Sequence, residues 1–276
     1  MPAEQRRFSL TYCILLTLWA LATAGAGIYG YKCAVYARQH PASSFGPQVT
    51  IKLKRGPFTV YNYLPKERPR AIILFGSGDG GWLGWEDTVG KGLCRAGYQV
   101  IGINSSLYAA TDYDLATLQA DYNTIAKTFL VSYWLHAPPI IVGGWSMGAA
   151  QAVAVAGGPH PPPGLQGVVV ASLVPRGRYG IRLPDRMDIP PIGEGTFSIS
   201  DFAGKIKNMR VAQLHGTEDI IDSCAWLDEL KVPHEECDVP NAGHPFNGAD
   251  HAFIQYLADS VKWTLNQTGQ LHASNP

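Results

Sequence analysis

The chain has 276 residues, 46% of them hydrophobic and 16% charged, with 22 lysines and arginines against 22 aspartates and glutamates. That length and apolar content can bury one sizeable core and fit one large domain better than two. The balanced charge, with no basic run, argues against nucleic acid as a partner.

After Glu4, Arg6 and Arg7 no charged side chain occurs from Phe8 to Tyr31, and the early part, LTYCILLTLWALA, is dense in Leu, Ile and Trp. Residues 10–31 match the ~20 apolar residues of a bilayer-spanning helix and follow a short N-terminus, 1–9, expected on the cytoplasmic side. They predict an uncleaved anchor; Ala22 and Ala24, an A-x-A pattern, keep a cleaved signal peptide as the alternative. A buried soluble helix would carry a polar stripe, which this stretch lacks. Either way the remainder is expected to be exported.

Residues 32–57 read as a linker and a first strand, 58–265 as the main domain and 266–276 as a loose tail. Within the domain the strand-like runs are PFTVYNYL, AIILF, YQVIGI, PIIVGG, GVVVASLV, RVAQLH and EECDV. Helical spacing occurs between them over Trp85–Ala96, Tyr113–Tyr133, Met147–Ala156, Cys224–Leu230 and Asp250–Leu265. Near-continuous apolar strands alternating with helices predict a mostly parallel sheet covered on both faces.

The first loop of interest follows AIILF. Gly76, Gly78 and Gly81 spell G-x-G-x-x-G, but the next strand ends in Asn104, Ser105 and Ser106, with no acid for a ribose, and Asp79 would oppose a pyrophosphate. No Lys-Ser/Thr follows to make a P-loop, so no nucleotide or other cofactor is expected.

The stretch PPIIVGGWSMGAAQAVAVA holds Gly144, Trp145, Ser146, Met147 and Gly148, a G-x-S-x-G between an apolar strand and an Ala-rich helix. In such an elbow the chain turns so sharply that residues two before and two after the serine must be small, and the serine oxygen stands at a helix N-terminus. Ser146 is therefore the candidate nucleophile. It needs a base, and the base an orienting acid, which on this architecture follow in the order Ser, Asp or Glu, His. RVAQLHGTEDIIDSC supplies Asp219 as the candidate acid, with Asp222 its rival, and EECDVPNAGHPFNG supplies His244 as the base. His251 lies in the final helix and is the weaker histidine. The glycine loop then reads as an oxyanion hole, formed by backbone N–H groups at Gly78 or Asp79 together with that of Met147, with Trp82 walling the site. The expected fold is the α/β-hydrolase fold, preceded by a membrane segment.

Cys13 lies in the apolar segment, and Cys33, Cys94, Cys224 and Cys237 allow three pairings. Cys224 with Cys237 is the favoured pair in an oxidising compartment; free buried thiols are the alternative. HEEC at His234–Cys237 lacks a second ligand cluster, so no metal is expected.

SGDGGW at Ser77–Trp82, SSLY at Ser105–Tyr108, GWSMGA at Gly144–Ala149, the acid loop ending in Cys224, and GHPF at Gly243–Phe246 resemble the bacterial virulence protein family VirJ and its relative AcvB, over about residues 70–265. The resemblance implies a hydrolase of the bacterial periplasm, anchored to the inner membrane, that deacylates aminoacyl-phosphatidylglycerol such as the lysyl or alanyl lipid. By it Ser146, Asp219 and His244 inherit the triad, and secretion-system proteins become candidate partners. The segment Arg176–Phe197 sits where such folds place a cap; Tyr179, Ile181, Leu183 and Ile192 are candidates to shield an acyl chain, and Asp185, Asp188 or Glu194 to attract a cationic head. A general esterase or thioesterase, and a non-catalytic binding module, remain the alternatives.

Overall fold

The computed structural model describes residues 14–20, 22, 23, 27, 46–133, 136–187, 189–246 and 248–266. The chain divides into two compact units, residues 1–44 and 45–276. In the first unit the described residues are helical, with the Thr23 hydroxyl donating to the Trp19 carbonyl at 2.9 Å. Among the described residues no helix is long and apolar enough to cross a membrane. The segment expected to do so, 10–31, falls largely outside the described residues, as do Cys13, Cys33 and the tail beyond Asn266.

The second unit is built on one eight-stranded sheet. β1 (Gln48–Leu53) and β2 (Gly56–Tyr63) form an antiparallel hairpin, so the first strand expected before residue 58 belongs to the same sheet as the rest. β3 (Ile72–Gly76), β4 (Gln99–Ile103), β5 (Ile140–Trp145) and β6 (Leu165–Ala171) form its centre, while β7 (Arg176–Arg178) and β8 (Thr196–Ser198) pair separately as a small antiparallel hairpin. β9 (Arg210–Gly216) and β10 (His234–Val239) complete the large sheet in the order β1-β2-β4-β3-β5-β6-β9-β10. From β4 to β10 all neighbours run parallel.

The central strands are buried on both faces, and their alternation divides the core. Ile72, Leu74, Val142, Val168 and Val170 pack with the apolar sides of two helices. The residues between them, among them Ile73, Phe75, Ile141 and Val169, are equally buried. The connecting helices are α1 (Gly84–Arg95), the single turn α2 (Ser105–Tyr108), α3 (Leu115–Leu130), α4 (Met147–Gly157), the single turn α5 (Ser200–Ala203) and α6 (Asp250–Leu265). α3 packs on α4, and α1 packs on α6. The predicted helix over Cys224–Leu230 is a short 3-10 turn, Ala225–Glu229.

The expected Cys224–Cys237 bridge is absent, and both thiols are free. Successive side chains on a strand face opposite ways. Cys224 meets Glu236, so Cys237, one residue on along β10, turns away from it and meets Ser260 of α6.

All parallel strands present their carboxyl ends to one edge, and there the backbones of β3, β5 and α4 meet. A Cβ on Gly144 would stand 2.5 Å from the Gly148 carbonyl carbon, and one on Gly76 would stand 2.8 Å from the Gly148 Cα. Gly148→Ala would press its methyl into the Gly76 backbone. We expect it to lower stability by about 1–3 kcal/mol or more, seen as a lower thermal midpoint, because backbone on both sides cannot yield. An unchanged midpoint would contradict this packing.

Candidate active site

The meeting of three glycines lets the chain turn at Ser146, whose φ of 52° and ψ of −113° lie in a region that costs a non-glycine residue about 1–3 kcal/mol. Two backbone bonds hold the strained residue: Ser146 N–H donates to Ala171 O at 3.0 Å, and Ala150 N–H donates to Ser146 O at 3.1 Å. The Ser146 hydroxyl stands at the start of α4, whose first N–H groups have no partner within the helix.

Nε2 of His244 lies 3.1 Å from Ser146 Oγ, and its Nδ1 lies 2.9 Å from Asp219 Oδ2. The loops after β5, β9 and β10 thus bring together the three side chains expected from the sequence. The His244 backbone is pinned as well: its carbonyl accepts from Trp145 Nε1 at 2.8 Å and from the Ser172 hydroxyl at 2.9 Å. Ser172 takes a φ of 46° to reach it. The other oxygen of Asp219 accepts from the Ile221 N–H at 2.9 Å and the Asp222 N–H at 3.3 Å. Burial of this carboxyl would raise its pKa, but the bonds from His244 and Ile221 outweigh it and hold the group down to about 2.

Asp222 is turned elsewhere. Its Oδ1 lies 2.6 Å from His215 Nδ1, while its buried Oδ2 has no partner. Burial first, then the charge of Asp219, push this carboxyl up to about 6. The two acids that one loop offered are therefore separated by geometry: Asp219 serves His244 and Asp222 serves His215. His251 lies exposed on α6.

The glycine loop is organised by Ser77, which is fully buried. Its N–H donates to Ile103 O at 3.0 Å, its carbonyl accepts from Gly148 N–H at 3.0 Å, and its hydroxyl accepts from Ser105 N–H at 3.0 Å. The same hydroxyl donates to Gly78 O at 3.1 Å, which also accepts from Gly81 N–H at 3.1 Å. A trans peptide sets its N–H opposite its C=O, so these bonds fix the direction of the Asp79 N–H. Asp79 and Met147 line a cleft of about 260 Å³ together with Ser146 and His244. Gly78 stands one step back, with the Trp145 ring filling the space a side chain would need. Trp82 does not wall the cleft: it is buried against Tyr61, with ring centroids 5.2 Å apart, and donates to the Tyr63 hydroxyl at 3.1 Å.

The rest of the cleft wall is mostly apolar, with Ala150, Val174, Ile189 and Phe197 among its residues, and Gln151, Arg176, Arg178 and Asp185 add polar groups to it. Of the expected acyl-shielding side chains, Tyr179 packs on Tyr113 and Phe197, while Leu183 and Ile192 are exposed. Of the acids set against a cationic head, Asp185 is held by Arg178 at 3.0 Å, Glu194 is exposed, and Asp188 lies outside the described residues. The hairpin β7–β8 is tied to the glycine loop by Arg186, which donates to Asp79 O at 3.3 Å and to Ser106 Oγ at 3.1 Å.

A family model for the bacterial virulence protein VirJ matches residues 70–264. The chain belongs to the VirJ family. No curated protein matches its sequence. Among solved structures, it is similar to the esterase domain of a Rhodothermus marinus protein, at 17% identity and a TM-score of 0.58 over 79% of this chain and 98% of that one. It is likewise similar to dienelactone hydrolase from Anabaena variabilis, at 18% identity and 0.59 over 79% and 97%, and to an α/β serine hydrolase homologue from Coxiella burnetii, at 15% and 0.56 over 79% and 98%. At these identities the likeness carries the fold, so this VirJ-family chain has the α/β-hydrolase fold.

Trp145, Ser172, Ser77 and Arg186 support the site through contacts that the sequence pattern does not mark. Trp145 stands inside the G-x-S-x-G elbow and Ser77 inside the glycine loop, whereas Ser172 and Arg186 carry no local signal.

Asp219→Asn should lower kcat on an ester by roughly 10³–10⁴-fold, because an amide facing Nδ1 favours the wrong histidine tautomer, while Asp222→Asn should cost far less. Equal losses would contradict the assignment. Between about 3.8, its value when free in the unfolded chain, and about 6, Asp222 holds a proton in the folded state that the unfolded chain has lost. Stability therefore falls as pH rises through that window. Thermal midpoints across it should decline less in Asp222→Asn than in the parent; identical profiles would refute the buried-carboxyl account.

Proposed function

We propose that the protein is a serine ester hydrolase that cleaves the aminoacyl ester of lysyl- or alanyl-phosphatidylglycerol on the periplasmic side of a bacterial inner membrane. The observation that carries the hydrolase reading is the unbroken relay from Asp219 through His244 to Ser146, opening on a mostly apolar cleft. VirJ-family membership supports the lipid. The uncharged run Phe8–Tyr31 supports export and a membrane anchor.

In this reading Ser146 Oγ attacks the ester carbonyl carbon as His244 Nε2 takes the hydroxyl proton. Asp219, kept ionised by its low pKa, accepts from Nδ1–H, fixes the ring and favours the imidazolium. The N–H groups of Met147 and Asp79 receive the negative charge on the carbonyl oxygen. When the tetrahedral adduct collapses, the bond to the glycerol oxygen breaks and His244 gives that oxygen its proton. Phosphatidylglycerol leaves, and the aminoacyl group remains esterified to Ser146. Water then attacks the acyl-enzyme with His244 as base, releasing the free amino acid and restoring the serine.

The cleft volume of about 260 Å³ favours a second reading in one respect. It falls at the small end of ligand sites, which suits a short acyl group on any alcohol and so a general periplasmic esterase or thioesterase.

The test is to incubate the purified full chain in mixed micelles with lysyl- and alanyl-phosphatidylglycerol and, separately, with a short water-soluble ester, using Ser146→Ala as control. Serine-dependent release of amino acid is the expected result. Intact lipids beside a cleaved short ester would leave the general esterase, and no turnover of either would overturn both readings.

A further inference from the structure

The carboxyl edge of the sheet, where the cleft opens, also gathers most of the exposed aliphatic side chains of the second unit. Leu107 follows β4, Leu183, Ile189 and Ile192 lie between β7 and β8, and Ile220 and Ile221 follow β9. Leu183, Ile192 and Ile220 are 71%, 73% and 96% exposed, whereas Ile189 and Ile221 reach into the cleft wall. The loops are joined to one another: Arg186 bonds Ser106, and Arg182 pairs with Asp112 at 2.6 Å, holding the β7–β8 hairpin against the segment that carries Leu107. At the opposite edge, Leu64 and Val131 are exposed singly, which is ordinary for a globular surface.

Two features say what covers such a rim. Its exposed large apolar side chains are all Leu or Ile, whereas the cores of protein interfaces favour Trp, Tyr, Phe and Met as anchors. Branched aliphatic chains on separate loop tips suit shallow insertion among acyl chains. The second feature is charge. Among the described residues, the loops 77–83, 104–114, 172–199, 217–224 and 240–249 carry eight carboxylates against four arginines. Arg178 and Arg182 pair with Asp185 and Asp112, and Asp219 and Asp222 are turned inward, which leaves Asp79, Asp114, Glu194 and Glu218 against Arg176 and Arg186. Glu194 and Glu218 are exposed, each two positions from Ile192 or Ile220. Such a rim repels an anionic surface and attracts head groups that carry ammonium.

We infer that this edge docks on a lipid surface with ammonium-bearing head groups, inserting Leu183, Ile192 and Ile220 and setting the cleft mouth on the bilayer. The inference rests on the proposed lipid-ester reading of the cleft, and its test reads contact as well as turnover. Docking by the rim is distinct from tethering by an N-terminal segment, because it orients the cleft.

The experiment is hydrogen exchange of the full chain with and without vesicles, comparing mixed phosphatidylethanolamine–phosphatidylglycerol vesicles with phosphatidylglycerol alone. Amides around Leu183, Ile192 and Ile220 should exchange more slowly with the mixed vesicles, on the order of tenfold, and be protected less by phosphatidylglycerol alone. The triple variant Leu183→Glu, Ile192→Glu, Ile220→Glu should lose this protection while its Ser146-dependent turnover of a short water-soluble ester is unchanged. Exchange unaffected by either vesicle, or protection as strong with phosphatidylglycerol alone, would overturn the proposal. So would protection that rises with protein concentration and no lipid, which would make the rim a self-association surface. Absent ester turnover with the protection intact would instead remove the hydrolase reading and leave the docking face standing.

Discussion

The close approach of three backbones, at Gly76, Gly144 and Gly148, is the constraint on which the site depends. Without side chains there, β3 and β5 can bring their ends against the first turn of α4, and the chain between can hold Ser146 at a positive φ. The contact also joins two halves of the chemistry. Gly148 N–H donates to the Ser77 carbonyl, and the Ser77 hydroxyl fixes the peptide that presents the Asp79 N–H. One crossing of main chains therefore sets both the serine and the glycine loop that lines the cleft beside it, and the parallel sheet supplies the rigidity.

Around that crossing the electrostatics are arranged in two His–Asp pairs with different tasks. Asp219 gains enough hydrogen bonds to stay ionised under burial, as the orienting acid of the proposed mechanism must. Asp222 gains one, to His215, and burial first, then the negative charge of Asp219 beside it, hold its proton more tightly. Both carboxyl groups hang from the same short loop, which separates their properties by pointing them at different histidines. The β7–β8 hairpin adds an ion pair, Arg178 with Asp185, that closes the hairpin on itself.

Much of this was legible in the sequence, because the relevant signals are local. Apolar runs long enough for a strand, a small–x–Ser–x–small turn and an Ala-rich helix leave few alternatives for 139–157, and chain order then indicates the loops for acid and base. What escaped was decided by contacts between distant segments. Asp219 and Asp222 differ only in which histidine each meets, and His215 carried no signal of its own. Trp82 followed the glycine loop and was expected at the cleft, but its ring fills the space above Gly102 in the core, and Trp145 takes the place over Gly78. The Cys224–Cys237 pair looked close along the chain, yet the alternation of β10 turns the two thiols to different neighbours.

The most direct measurement is to treat the full chain with a fluorophosphonate, which reacts with a serine only when a base activates it, and to locate the adduct by peptide mass. A single adduct on the peptide containing Ser146, lost in His244→Ala, is the expected result. No adduct, or one that persists without His244, would contradict the relay from Asp219 to Ser146.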